Sequence, residues 1–378
     1  MLNYRKLAAA GFSLAAVGSS GLALADSAPA VAPAGPTLSK ILEASGITES
    51  AYLDGAYSYA NKDSSLDRVF DGQTNSSSLN LHQAAIQIAK QPKEGLGALV
   101  NLTLGSDVPV FASYPNNGKS SQFDVTQAYG QYVTGALTVM VGKFATLQGS
   151  EVIWAPGNNN FSRSILFGAI PFTHTGARLT YAIDDTTNVI VGINNGWDQV
   201  SASTSGKTVE LGLTLNPVKP LNITLSDYVG TASAATGGAP SAPGSVPTGA
   251  RNSLNLVGTY ALSDAFTLGL EYLAVSQSNY QGSGVKANYD GVALYATYLF
   301  TPSWRLALRG ESFNDKDGFH FGTASTKYNE VTATLSYLAS DSLEIRGELR
   351  SDKASNAVFA SNTSKDLATA AVEALFKF

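Results

Sequence analysis

The chain contains no cysteine, which excludes a disulfide framework and any thiolate nucleophile or metal ligand. Charge is scarce as well: Asp, Glu, Lys and Arg make up 14% of the 378 residues, against about 25% in an ordinary soluble domain. There are three histidines, His82, His174 and His320, too far apart to form a His-based metal motif. Past the N-terminal stretch no apolar run reaches the roughly 20 residues of a transmembrane helix. The formal net charge of -5 argues against nucleic acid as a partner, since that calls for a basic patch. Abundant instead are 36 glycines, 17 tyrosines and 16 phenylalanines.

Residues 1–25 have the order of a secretory signal peptide: basic Arg5 and Lys6, an apolar run at 7–17, and the small-x-small cleavage site Ala23-Leu24-Ala25. Cleavage there makes Asp26 the mature N-terminus and, by removing two cations, takes the net charge from -5 to -7. Residues 26–47 are expected to be a periplasmic tether, Ala/Pro-rich over 26–36 and ending in a short helix over 37–46. In that helix Thr37 is the N-cap, Leu38, Ile41 and Leu42 share a face, and Gly46 is the stop.

From residue 48 to 378 the repeating unit is a segment of about ten residues in which apolar and polar side chains alternate. Trp304, Leu306, Leu308 and Gly310 share one face of such a segment, opposite Arg305, Ala307, Arg309 and Glu311. Leu343, Ile345, Gly347 and Leu349 likewise oppose Glu344, Arg346, Glu348 and Arg350. Four consecutive charges on one face do not suit a closed apolar core. They do suit a wall with lipid on one side and water on the other. About sixteen such segments start near residues 49, 79, 96, 124, 135, 171, 187, 208, 221, 253, 266, 289, 303, 327, 342 and 366. The pattern predicts an all-β protein: a transmembrane, antiparallel, up-and-down β-barrel in the outer membrane of a Gram-negative cell.

Connections alternate between short and long. Bacterial barrels have short periplasmic turns and longer extracellular loops, so an even strand number puts both termini in the periplasm. Tyr132, Tyr181, Tyr260, Phe266, Phe300, Trp304, Tyr337, Phe376 and Phe378 lie beside short turns, where a membrane-interface girdle belongs. The last strand ends in Phe378, a terminal aromatic of the kind that the outer-membrane insertion machinery recognises on its clients.

Sixteen strands about 4.8 Å apart and tilted about 40° enclose a backbone diameter near ~32 Å, too wide for side chains to fill. The element expected to narrow it is the third long loop, 146–170, which concentrates Glu151, Trp154, Asn158, Asn159, Asn160, Phe161 and Arg163. Folded inward with Glu151 against wall arginines, it would form a polar eyelet selecting by size and charge. Inward parity assigns to the lumen wall Arg178, Glu210, Glu271, Arg305, Arg309, Glu311, Glu344, Arg346, Glu348, Arg350, Glu373 and Lys377. Their mixed signs predict weak charge selectivity. Lys143 breaks the parity of its strand, which points to a bulge near the loop.

The run Val141-Gly142-Lys143-Phe144, then Glu151-Val152-Ile153, Ala155-Pro156, Asn160-Phe161-Ser162-Arg163-Ser164, Phe167-Gly168, Ile170-Pro171-Phe172-Thr173-His174-Thr175-Gly176 and Asn195-Gly196-Trp197-Asp198 resembles the β-barrel porin family of OmpL-like proteins. The resemblance is strongest over 141–198. It implies an outer-membrane channel and no catalytic role.

The expectation is therefore a porin for passive diffusion of small hydrophilic solutes or ions, with no cofactor and no metal. Porins of this size often form homotrimers, although no interface signature is visible. An enzyme would need a nucleophile or acid/base group beside an organised partner, and the scattered histidines offer none. The competing class is a structural or adhesive surface protein whose barrel displays loops such as the Ala/Gly/Ser/Pro-rich 231–250.

Overall fold

A computed structural model describes residues 37–62, 77–116, 121–202, 206–230, 235–236, 239–240, 249–280, 284–322 and 324–378. The expected signal peptide and the first part of the tether lie outside the described residues. A short helix, α1 (Leu38–Ala44), precedes the barrel where the N-cap and glycine stop predict one, and Gly46 ends it at φ +67°.

Sixteen strands close into one antiparallel barrel. They are β1 (Thr48–Ala60), β2 (Ser78–Lys90), β3 (Gly95–Leu104), β4 (Phe123–Thr134), β5 (Leu137–Ala145), β6 (Thr173–Ala182), β7 (Thr187–Asn194) and β8 (Thr208–Val218). The second half comprises β9 (Leu221–Gly230), β10 (Arg251–Ala261), β11 (Phe266–Gln277), β12 (Ala287–Thr301), β13 (Trp304–Asp315), β14 (Thr326–Leu338), β15 (Leu343–Ala354) and β16 (Asp366–Lys377). Every strand pairs with the next in sequence, and β1 pairs with β16, so no edge is left open. Each observed start falls within two residues of the predicted one. Among the described residues no helix is long and apolar enough to cross a membrane.

The alternation has the polarity of a membrane barrel. In β15 the buried set is Glu344, Arg346, Glu348, Arg350 and Asp352, while Leu349 on the opposite face is 68% exposed. In β14, Val331 is 65% exposed between buried Glu330 and Thr332. A soluble sheet would bury the aliphatic set.

Two irregularities place polar groups on the inner wall. Opposite Asp54 and Gly55 of β1 the register skips one residue of β2, so His82 and Gln83 are both buried. The bulge expected beside Lys143 lies one strand away: β5 pairs continuously through Lys143 with β4 and β6, whereas β4 carries an extra residue at Thr126. Lys143 reaches across that step to the Asp124 carboxylate and the Val125 carbonyl, both at 2.8 Å.

The half of the barrel next to the long loops holds an apolar core that periodicity did not predict. Phe111 after β3, Ile165, Leu166, Phe167 and Phe172 after β5, Trp197 after β7, Phe319 after β13 and Phe359 after β15 pack together against Leu273, Tyr289, Phe313 and Tyr328 of the wall. Five loops that are distant in sequence are thereby joined into one body inside the rim.

Candidate functional site: a loop across the lumen

The connection from β5 to β6 runs across the interior and is fixed to the opposite wall at almost every step. The Leu147 amide donates to Tyr228 Oη of β9 (2.9 Å), Gln148 Nε2 to the Ser253 carbonyl of β10 (2.7 Å), and the Ser150 amide to Glu271 of β11 (2.9 Å). Ala155, in a single 3-10 turn at Ala155–Gly157, meets Tyr52 of β1 (3.4 Å). On the return, Asn160 Nδ2 donates to Thr334 of β14 (2.7 Å), and Phe161 and Ser162 amides donate to Glu348 of β15 (2.8 and 3.0 Å). Ile165 and Leu166 amides, opening a one-turn helix at Ile165–Gly168, donate to Glu311 of β13 (2.7 and 3.1 Å). Tyr289 of β12 donates its hydroxyl proton to the Ala169 carbonyl (2.7 Å). A loop buried in a barrel must satisfy its own amides. Inward carboxylates at Glu271, Glu311 and Glu348 accept them.

The charged groups of loop and wall are paired in three sets. Arg309 lies between Glu151 (2.8 Å) and Glu330 (3.0 Å) and donates to the Ser162 carbonyl (2.7 Å). Arg350 pairs with Asp352 (2.7 Å) and donates to the Arg163 carbonyl (2.6 Å). Arg305 pairs with Glu344, which also binds Arg346 (2.7 Å), and Arg346 continues to Glu373 (3.1 Å). On the facing wall Arg178 binds Glu210 at 2.5 Å and sits 4.3 Å over the Phe144 ring.

The residues expected in the eyelet divide into two groups. Glu151, Asn158, Asn160 and Arg163 are buried, and Trp154 is half-buried. Asn158 clasps the backbone, accepting from the Val152 amide and donating to the Val152 and Trp154 carbonyls, all at 2.9 Å. Arg163 donates to the carbonyls of Val152 (3.2 Å), Ile153 (3.4 Å) and Phe161 (2.6 Å). Asn159, expected with them, is exposed; the other polar side chains of the set face the loop's own backbone and the wall.

Sequence reasoning missed Glu330 and Asp352, although both keep the inward parity of their strands and were readable from it. It also missed Asp107, which lies in a loop and binds His82 and Gln83, both at 3.1 Å. Asp198, after β7, was missed for the same reason. Its carboxylate accepts from the Phe172 and Thr173 amides (2.8 and 2.9 Å) where the crossing loop rejoins the wall, and burial pushes its pKa up to about 7 against those two bonds. His320 is enclosed by the rings of Tyr289, Phe313 and Phe321 with neither ring nitrogen hydrogen-bonded, and burial, with nearby Arg251, pulls its pKa down to about 3. His174 stacks on Tyr228 with Nδ1 3.2 Å from the Gly196 carbonyl. Among the described residues no group of three His, Asp or Glu side chains could hold a metal ion.

The sequence matches a family model over residues 46–378, the whole barrel, and that family is described as "Putative beta-barrel porin-2, OmpL-like". The chain belongs to this porin family. No curated protein matches the porin's sequence. Its fold is that of solved outer-membrane proteins at low identity. DcaP, an outer membrane channel of Acinetobacter baumannii, superposes with a TM-score of 0.62 at 12% identity, covering 88% of this porin and 97% of that chain. The anion-selective porin of Comamonas acidovorans gives 0.61 at 12% identity, covering 88% and 99%. The trimer form of OmpT of Vibrio cholerae gives 0.59 at 11% identity, covering 88% and 99%. The porin is accordingly an outer-membrane β-barrel channel.

Proposed function

We propose that the porin lets small hydrophilic solutes and ions diffuse through its barrel, with 146–170 as the constriction. One observation carries this reading: the loop crosses the interior and is held there by Arg309, Glu271, Glu311 and Glu348 of the far wall. A sixteen-stranded wall is too wide to be filled by its own side chains, so a fixed crossing loop divides it into a narrower passage. Charges paired across loop and wall leave little net field, which supports weak selectivity.

In this reading residues 1–25 are removed on export, both termini and the short turns face the periplasm, and Phe378 closes the strand offered to the insertion machinery. Phe376 and Phe378 meet edge-to-face on the outer face with ring centroids 5.2 Å apart, an arrangement suited to that recognition. A homotrimer is the assembly we expect, and we assign the protein no catalytic role. The loop 231–250 that motivates an adhesive alternative lies largely outside the described residues, apart from a two-residue ribbon pairing Ala235–Thr236 with Ala239–Pro240.

Planar-bilayer recording of the mature protein tests the proposal. Discrete single-channel steps are expected, with conductance or ion selectivity altered in Glu151→Ala and Arg163→Ala. Steps unchanged in both variants remove the constriction assignment; a folded barrel without conductance removes the porin reading and favours the display protein.

A further inference from the structure

Asn158 and Arg163 are turned onto the carbonyls of Val152, Ile153 and Trp154, so the loop presents the side chains of those three residues together with exposed Asn159. Val152 is 43% exposed although it lies on a loop inside the barrel, and Ile153, Trp154 and Pro156 are half-buried. Trp154 sits edge-on to Tyr52 of β1 with ring centroids 4.6 Å apart, beside buried Ala85 and Leu375 of the wall. The charged members of the same loop are spent internally, Glu151 on Arg309 and on the Ser164 amide (2.7 Å). On β2 to β5 the wall carries another apolar group, Leu99, Tyr129 and Phe144 with Met140 packed against it.

We infer that the constriction is amphipathic, and that Val152 and Trp154 retain solutes carrying an aromatic face together with a polar group, whichever sign of charge that group bears. The inference rests on the porin reading and on loop 146–170 as the constriction. An indole edge and an exposed isopropyl group gain free energy by covering an apolar face, and rings add a directional edge-to-face term. A network of paired charges offers no comparable preference for one sign.

The test uses two pairs of permanently charged, membrane-impermeant probes on single channels of the full mature porin. These are benzenesulfonate against methanesulfonate, and benzyltrimethylammonium against tetramethylammonium. The aromatic member of each pair is expected to interrupt the current with dwell times about five- to tenfold longer than its partner. Val152→Asn, close in volume and on an exposed position, should reduce that ratio towards one. Trp154→Ala should do the same with a larger conductance. Equal dwell times within both pairs in the wild-type channel overturn the inference and leave the porin standing. So does an aromatic preference that survives in Val152→Asn and Trp154→Ala, or one confined to a single charge sign. A folded protein that does not conduct overturns the porin reading and this inference with it.

Discussion

Arg309 is the residue on which the position of the crossing loop most depends, and Arg309→Met is the perturbation that exposes this. The guanidinium is buried, pairs with Glu151 and Glu330, and donates to the carbonyl and hydroxyl of Ser162 (2.7 and 3.1 Å). Methionine approximates the stem and removes every one of these bonds, leaving two carboxylates facing each other without their cation. Removing one partner of a buried ion pair costs about 3–5 kcal/mol. At about 1.4 kcal/mol per tenfold, that weakens docking of the loop by roughly two to three and a half orders of magnitude. Glu348 and Glu311 still hold the amides of Phe161, Ser162, Ile165 and Leu166, so the expected result is a loop that undocks transiently from an intact barrel. Single-channel records should show current flicker and a higher mean conductance, with the β-sheet circular dichroism unchanged. Arg309→Met combined with Glu151→Gln should restore part of the quiet signal, because it removes one uncompensated charge. A quiet channel of wild-type conductance in Arg309→Met would refute the argument that this ion pair positions the loop.

Gly142 has φ +136°, and a Cβ there would lie 2.3 Å from the Ala128 carbonyl oxygen, so Gly142→Ala should break the pairing of β4 with β5 at the root of the loop. It is expected to lower the temperature at which the barrel loses its β-sheet dichroism; an unchanged melting point counts against it. For pH, the loop-packed His320 binds its proton only near pH 3, whereas a solvated histidine binds it near 6.5. The packed state is therefore fully favoured above pH 6.5 and weakens as the pH falls from there towards 3. Asp198 works in the opposite sense, its clasp weakening as the pH rises from 3.8 through about 7. Below pH 5, protease cleavage of the 316–325 loop should increase in wild type and stay flat in His320→Phe, which keeps the ring and removes the titration. Equal acid sensitivity in both proteins would rule out His320 as the cause.

All sixteen strands were legible from the sequence because a membrane barrel imposes a two-residue period on every segment, a period that persists in the strands whose inner face meets the packed loops. The same parity placed Arg309, Glu311, Glu344, Arg346, Glu348 and Arg350 on the inner wall, and would have placed Glu330 and Asp352 there as well. It could not say that Glu311 and Glu348 hold backbone amides of 146–170, or that Arg309 meets Glu151 158 residues away. Loops have no period, so the partners of Asp198, His320 and Phe111 became visible only once five loops were packed together. Local alternation thus determined the wall, its orientation between lipid and lumen, and its size. The concentration of polar and aromatic residues in 146–170 marked it as the loop expected to turn inward, but only the tertiary structure decided which wall residues hold it and which way its side chains face. The physical reason is that a buried loop must satisfy its own amides and carbonyls, which turned Glu151, Asn158, Asn160 and Arg163 onto backbone and wall and left Val152, Asn159 and part of Trp154 uncovered.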